Sequence, residues 1–139
     1  MKVFLDANIL VSVLNKEYPV FSYSARLLQL ALTKKFQLYT SPICLAIAFY
    51  FAEKKSGRKK AMEKIALLMS EIDVAESNKQ SVMMTIKNKA ITDFEDGLEY
   101  YSAINAGCRC IVTHNPEDFY FSEIEVLETQ QFLEKYVVK

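Results

Sequence analysis

The stretch from Asp93 to Phe119 limits most tightly how this chain folds. Three acidic residues, Asp93, Glu95 and Asp96, open a segment that carries Leu98, Tyr101, Ala103 and Ile104 and runs to Gly107. A short apolar run, Cys110-Ile111-Val112, follows at once and stops at Thr113-His114-Asn115-Pro116. The spacing predicts an acid-headed helix feeding a buried strand. Asp93 and Asp96 stand three apart in a first turn, so they project from one face and are able to share a cation. Acids in a first turn also complement the helix dipole, each worth about 0.3–1 kcal/mol, which accounts for one or two of them without any ligand. In a parallel α/β sheet, polar residues at strand carboxyl ends line the ligand crevice, and Asn115 falls there.

The N-terminus supplies the matching half. Val3-Phe4-Leu5 is too short an apolar run for a helix, and it stops at Asp6-Ala7-Asn8, after which Ile9, Leu10, Val13 and Leu14 carry helical spacing. Asp6 or Asn8 would each serve as a helix N-cap, worth about 1 kcal/mol. Two strands that end in a carboxylate or amide, together with an acid-headed helix, bring hard oxygen donors to one sheet edge. Mg²⁺ and Mn²⁺ take such donors. A haloacid-dehalogenase-like phosphatase needs a second Asp two places after its first, and Asn8 stands there. A receiver domain needs an acid pair after strand one and an Asp ending a middle strand, and neither is present.

These residues resemble the PIN domain family. The resemblance is carried by Asp6-Ala7-Asn8 after strand one, Asp93-Phe94-Glu95-Asp96 leading through Tyr100-Tyr101-Ser102-Ala103 to Ala106-Gly107-Cys108, and Val112-Thr113-His114-Asn115 with Asp118-Phe119. They are most similar to the VapC-like subfamily of toxin ribonucleases whose motifs read DFEDAL and TRNxxDF. The resemblance implies Mg²⁺- or Mn²⁺-dependent hydrolysis of RNA phosphodiester bonds, leaving a 5′-phosphate and a 3′-hydroxyl. It implies direct ligation by Asp6 and Asp96, with Asp93 a further ligand or an acid behind them. Asn115 would orient a metal-bound water. Asp118 would add a ligand or cap the turn before Phe119, Thr113 would hold Asp6 or Asn115, and Asn8 would support the site. His114 takes the usually basic place between Thr and Asn, as a general base or a residue facing solvent or phosphate. A homodimer and a small antitoxin partner are also implied.

The remaining chain fits one domain over residues 1–139, half of it hydrophobic in composition, enough for a full core. No cleavable signal or membrane-length apolar run is visible, so a cytoplasmic location is expected. Cys44, Cys108 and Cys110 lack zinc-site spacing and read as buried free thiols. With zero formal net charge, attraction of nucleic acid falls to local patches. Lys54, Lys55, Arg58, Lys59 and Lys60 around Gly57 form the main candidate, or else a solvated helix end.

A break is expected at Tyr18-Pro19, then a helix from near Ser22 to Lys34-Lys35 and a strand over Gln37–Ser41. Pro42 opens a third helix to about Lys55 that is apolar all round, hence buried or at an interface. Most PIN domains carry a Glu early in this helix. That place falls here on Ile47, and Glu53, about 600° further round, cannot substitute. Gly57 would end the helix. A fourth then runs from Arg58 to about Glu71 with Met62, Ile65, Leu68 and Met69 on one face. A weak strand at Asp73–Glu76 precedes a helix capped by Ser77 or Asn78, whose Met83-Met84 pair reads as core. An edge strand at Ile124–Leu127 and a helix capped by Thr129 close the chain.

This alternation predicts a three-layer α/β/α fold with a parallel sheet of about four or five strands. A second function class also fits the residues: a PIN-like binding module with weakened catalysis, favoured by Ile47 and the neutral charge.

Overall fold

The structure is a computed structural model that describes residues 1–16 and 21–137, so the break expected at Tyr18-Pro19 lies outside it. Five strands form one parallel sheet: β1 (Lys2–Leu5), β2 (Gln37–Thr40), β3 (Asp73–Val74), β4 (Cys110–Val112) and β5 (Glu125–Leu127), in the order β3-β2-β1-β4-β5. Val3, Phe4 and Leu5 are fully buried, as are Cys110, Ile111 and Val112. Unbroken apolar runs of this kind belong to strands covered on both faces, so β1 and β4 take the centre. β5, alternating apolar and acidic, takes an edge as expected.

The chain moves outward from β1 to β2 and β3, then returns across β1 to β4 and β5. Right-handed crossovers place the helices of the outward and returning connections on opposite faces. The order therefore reverses between β1 and β4, where ligands of open parallel sheets bind outside the strand carboxyl ends. The two strands pair Leu5 with Val112, and the ladder continues one step further through Asp6 N–H donating to the Val112 carbonyl at 3.0 Å.

Helix α1 (Ala7–Leu14) starts on Asp6, whose Oδ1 accepts from the Ala7 N–H. Helix α2 (Phe21–Gln29) ends earlier than expected, passing into a 3₁₀ turn at Leu30–Leu32 before Lys34-Lys35. Thr33 Oγ1 donates to the Leu30 carbonyl at 2.8 Å and closes that turn. Helix α3 (Pro42–Ser56) begins as expected on Pro42, with Ser41 Oγ accepting from Cys44 N–H, and stops at Gly57, where φ is +86°. It is not buried all round: Cys44, Ala48 and Ala52 form the inward stripe while Tyr50 and Phe51 are exposed. Small side chains spaced by four let α3 lie close against α1.

Helix α4 (Arg58–Met69) buries Ala61 and Leu68, and Met62 is exposed rather than on the inner face. Helix α5 (Lys79–Lys87) is capped by Asn78, whose Oδ1 accepts from Ser81 N–H. Its methionines are not core: Met83, Met84 and Ile86 are exposed, and the buried face is Ser81 and Thr85. The reason lies in helix α6 (Phe94–Asn105), which packs so near that a Cβ at Gly97 would meet Thr85 Cγ2 at 2.4 Å. Only small residues fit between helices at that distance. Helix α7 (Thr129–Tyr136) is capped by Glu128 rather than Thr129, with Gln131 Oε1 accepting from Glu128 N–H at 3.0 Å. All three cysteines are buried and free, and among the described residues no helix is long and apolar enough to cross a membrane.

Gly97→Ala is expected to lower stability by about 1–3 kcal/mol through overpacking against Thr85. Thermal unfolding should show that loss, and Thr85→Ser in the same chain, which removes Cγ2, should recover most of it.

Candidate metal centre

At the reversal between β1 and β4 the surface opens into a cavity of about 440 Å³. Among the described residues six carboxylates line it, from Asp6, Asp93, Glu95, Asp96, Glu99 and Asp118, and no Lys or Arg does. Asp6 arrives there because β1 ends at Leu5 and α1 begins at Ala7, so its backbone turns outward at the sheet edge. Asp6 is only 8% exposed, and its carboxylate is held from two sides. Oδ1 accepts from Ala7 N–H at 2.6 Å, and Oδ2 accepts from Thr113 Oγ1 at 2.8 Å.

Thr113, the first residue after β4, is the hub of the polar network. Its hydroxyl donates to Asp6 and accepts from Asn8 Nδ2 at 3.1 Å and from Asn115 N–H at 3.2 Å. Asn8 Oδ1 accepts in turn from His114 N–H at 3.2 Å. One buried hydroxyl thus fixes the ends of both central strands. The expected tie between Thr113 and Asp6 or Asn115 is present to both.

The remaining acids come mainly from the head of α6. Asp93 is its N-cap, with Oδ1 accepting from Glu95 N–H at 3.0 Å and Asp96 N–H at 3.4 Å, so it serves the helix and lines the cavity at once. Asp96 follows one turn on, half-buried. Burial first, then Asp93, Asp6, Asp118 and Glu95 raise its pKa from 3.8 to about 7. Burial and nearby acids also raise Glu95 and Asp118. Asp118 comes from the 3₁₀ turn Pro116–Phe119, inside the turn rather than capping it.

Glu99 forms the floor. It is 1% exposed, its Oε1 accepts from the Cys44 thiol of α3, and burial followed by the charge of Asp6 lifts its pKa to about 10. The same burial, with Glu99 and Asp6 beside it, pushes the Cys44 thiol well above its ordinary range. The donor set is therefore mainly hard carboxylate oxygen, which suits Mg²⁺ or Mn²⁺.

Residues 2–117 match the PIN domain family. Ribonuclease VapC1 of Aquifex aeolicus (strain VF5) is 31% identical to this chain over 139 residues, covering 97% of this chain and 95% of that protein. This chain is a PIN domain of the VapC-like ribonuclease family. Two solved structures share its fold: VapBC-1 from nontypeable Haemophilus influenzae, with a TM-score of 0.71 and 20% identity over 94% of this chain and 99% of that one, and VapBC2 from Rickettsia felis bound to a promoter DNA fragment, with a TM-score of 0.69 and 21% identity over 92% and 98%.

The PIN domain brings together Asp6, Asn8, Asp93, Asp96, His114 and Asp118 around the cavity, and Ile47 lines it where the α3 acid was sought. Asn115 stands off the wall: it is exposed, and its backbone, not its side chain, makes the bond to Thr113. None of the basic cluster lines the cavity. Lys55 donates to the Asn15 carbonyl at the end of α1, and Lys54 lies over the Tyr50 ring at 5.1 Å. Arg58, Lys59 and Lys60 are exposed in the first turn of α4.

Glu99 is the residue that the sequence reading passed over. Its signal was available, because Glu99 stands three residues after Asp96, which stands three after Asp93, so each successive pair is neighbouring on the α6 surface. An apolar face drawn through Leu98 and Ile104 hid it, although Ile104 is partly exposed and Glu99 is not.

An acid whose folded pKa lies above its unfolded value holds a proton that unfolding releases, so stability falls as pH rises between the two values. For Asp96 that window runs from 3.8 to about 7, and for Glu99 from 4.5 to about 10. Protein in EDTA should therefore melt at steadily lower temperature as pH is raised through this range. Asp96→Asn should flatten the part below about pH 7, and an unchanged profile in that variant would contradict the assignment.

Proposed function

We propose that this PIN domain is a metal-dependent endoribonuclease of the VapC type, with Mg²⁺ or Mn²⁺ held by Asp6 and Asp96 and supported by Asp93 and Asp118. The observation that carries the reading is the set of six carboxylates on one cavity at the β1–β4 reversal, with no Lys or Arg beside them among the described residues. When bound, a divalent cation there supplies Lewis acidity to a phosphoryl oxygen and lowers the pKa of a coordinated water.

The chain's own residues do the positioning. Thr113 and the Ala7 N–H fix both oxygens of Asp6 before any ligand arrives. Asp93 is locked by two backbone N–H groups and sets the direction of α6, which carries Asp96. Asn8 ties the Thr113 hydroxyl to the His114 backbone, so His114 enters the cavity wall in a defined place, where a substrate phosphate would meet it. Asn115 lies outside that wall, and its place beside the water falls to Asn8. Arg58, Lys59 and Lys60 are left to contact the RNA backbone. Relatives crystallised as VapBC complexes support a small antitoxin as protein partner, the chain acting as the toxin.

Incubation with mixed single-stranded and structured RNAs tests this directly. Cleavage should require Mg²⁺ or Mn²⁺, stop in EDTA, and fall at least about a hundredfold in Asp96→Asn, a barrier change of about 2.7 kcal/mol. Thr113→Val, which frees the Asp6 carboxylate, should lose roughly 10–100-fold. Folded protein that neither cuts RNA nor binds metal would leave only the binding-module reading.

A further inference from the structure

We infer that Glu99 is a direct ligand of the divalent cation, a carboxylate supplied from α6 in place of the acid that α3 lacks at Ile47. The inference rests on the metal reading above and goes beyond it in assigning this residue. A carboxylate oxygen of Asp6, one of Glu99 and the Cys44 sulfur all lie within 4.8 Å of one another, and all three residues are buried. A cation with bonds of about 2.1 Å spans oxygens at this spacing with small side-chain movements.

Burial beside other acids is the decisive point. A Glu this deeply buried is rare unless paired with a cation or a metal. Asp6 and Asp96 both bring negative charge to Glu99, Asp6 shares a side-chain hydrogen bond with it, and the Cys44 thiol donates to its Oε1. Among the described residues no Lys or Arg lines the cavity it faces. A leucine or glutamine would fill the floor at lower cost if the role were only structural.

The geometry also places the carboxylate where an α3 acid would deliver one. Glu99 touches Cys44, which lies on α3 one turn before Ile47, and both Glu99 and Ile47 line the same cavity. The site is approached from α6 instead of α3. Asp93, Asp96 and Glu99 then form a ladder of acids from the mouth of the cavity to its floor, facing Asp6 on the β1 side.

Titration of the full chain with MnCl₂ by calorimetry, without RNA, separates this from a structural acid. Glu99→Gln keeps the shape and provides an amide donor for Asp6, so it should remain folded, melt no lower than the parent protein in EDTA, and bind Mn²⁺ at least tenfold more weakly. Ile47→Glu combined with Glu99→Gln returns an acid to α3 and should regain much of that affinity. Glu99→Asp, which keeps the charge but withdraws it by one methylene, should fall between. Parent-like Mn²⁺ affinity in folded Glu99→Gln would overturn the assignment while leaving the metal centre intact. A parent protein that binds no Mn²⁺ would overturn both.

Discussion

Carboxylates gathered in one cavity repel one another, and much of this fold is arranged to hold them together. Burial raises the cost, since it removes the water that would otherwise screen them. The metal-free protein responds by retaining protons, at Glu99 with a pKa of about 10 and at Asp96 with one of about 7. A site like this is less stable than an apolar plug of the same volume, and such local cost is characteristic of positions kept for function.

The sheet makes the arrangement possible. Reversal of strand order between β1 and β4 leaves the ends of two central strands side by side, with no strand to cover them. Asp6 and Thr113 leave those ends one residue beyond the last pair, and their hydrogen bond joins segments 107 residues apart. Rigidity comes from the backbone as much as from side chains: Asp6 caps α1 and Asp93 caps α6, so two of the acids cannot turn away without fraying a helix. The close contact of α5 with α6 at Gly97 keeps the helix that carries Asp96 and Glu99 from shifting. Capping and metal binding, which compete as explanations of an acid in a first turn, are here served by the same residues.

Much of this was legible in the sequence, for identifiable reasons. Doubly buried strands read as short unbroken apolar runs, so β1 and β4 were clear, and the polar residues that stop them marked the site. Ser41-Pro42 and Gly57 bounded α3 because their backbone chemistry is local. Facing was harder. The exposed Met83 and Met62 show that apolar identity alone does not decide which side of a helix turns inward when close packing demands small residues. Glu99 escaped because a glutamate between Leu98 and Tyr100 reads as solvent-facing until the partner helix is in place. The exposed Asn115 shows the converse: position at a strand end put it near the site, but the turn at Pro116 directs its neighbours His114 and Asp118 to the cavity instead.

Anomalous scattering from crystals grown with Mn²⁺ decides whether the acid-lined cavity at the β1–β4 reversal is a divalent metal centre. A strong peak is expected inside the cavity, about 2.0–2.2 Å from carboxylate oxygens of Asp6 and Asp96. A cavity without a peak at millimolar Mn²⁺, or peaks confined to acids elsewhere on the surface, would contradict it.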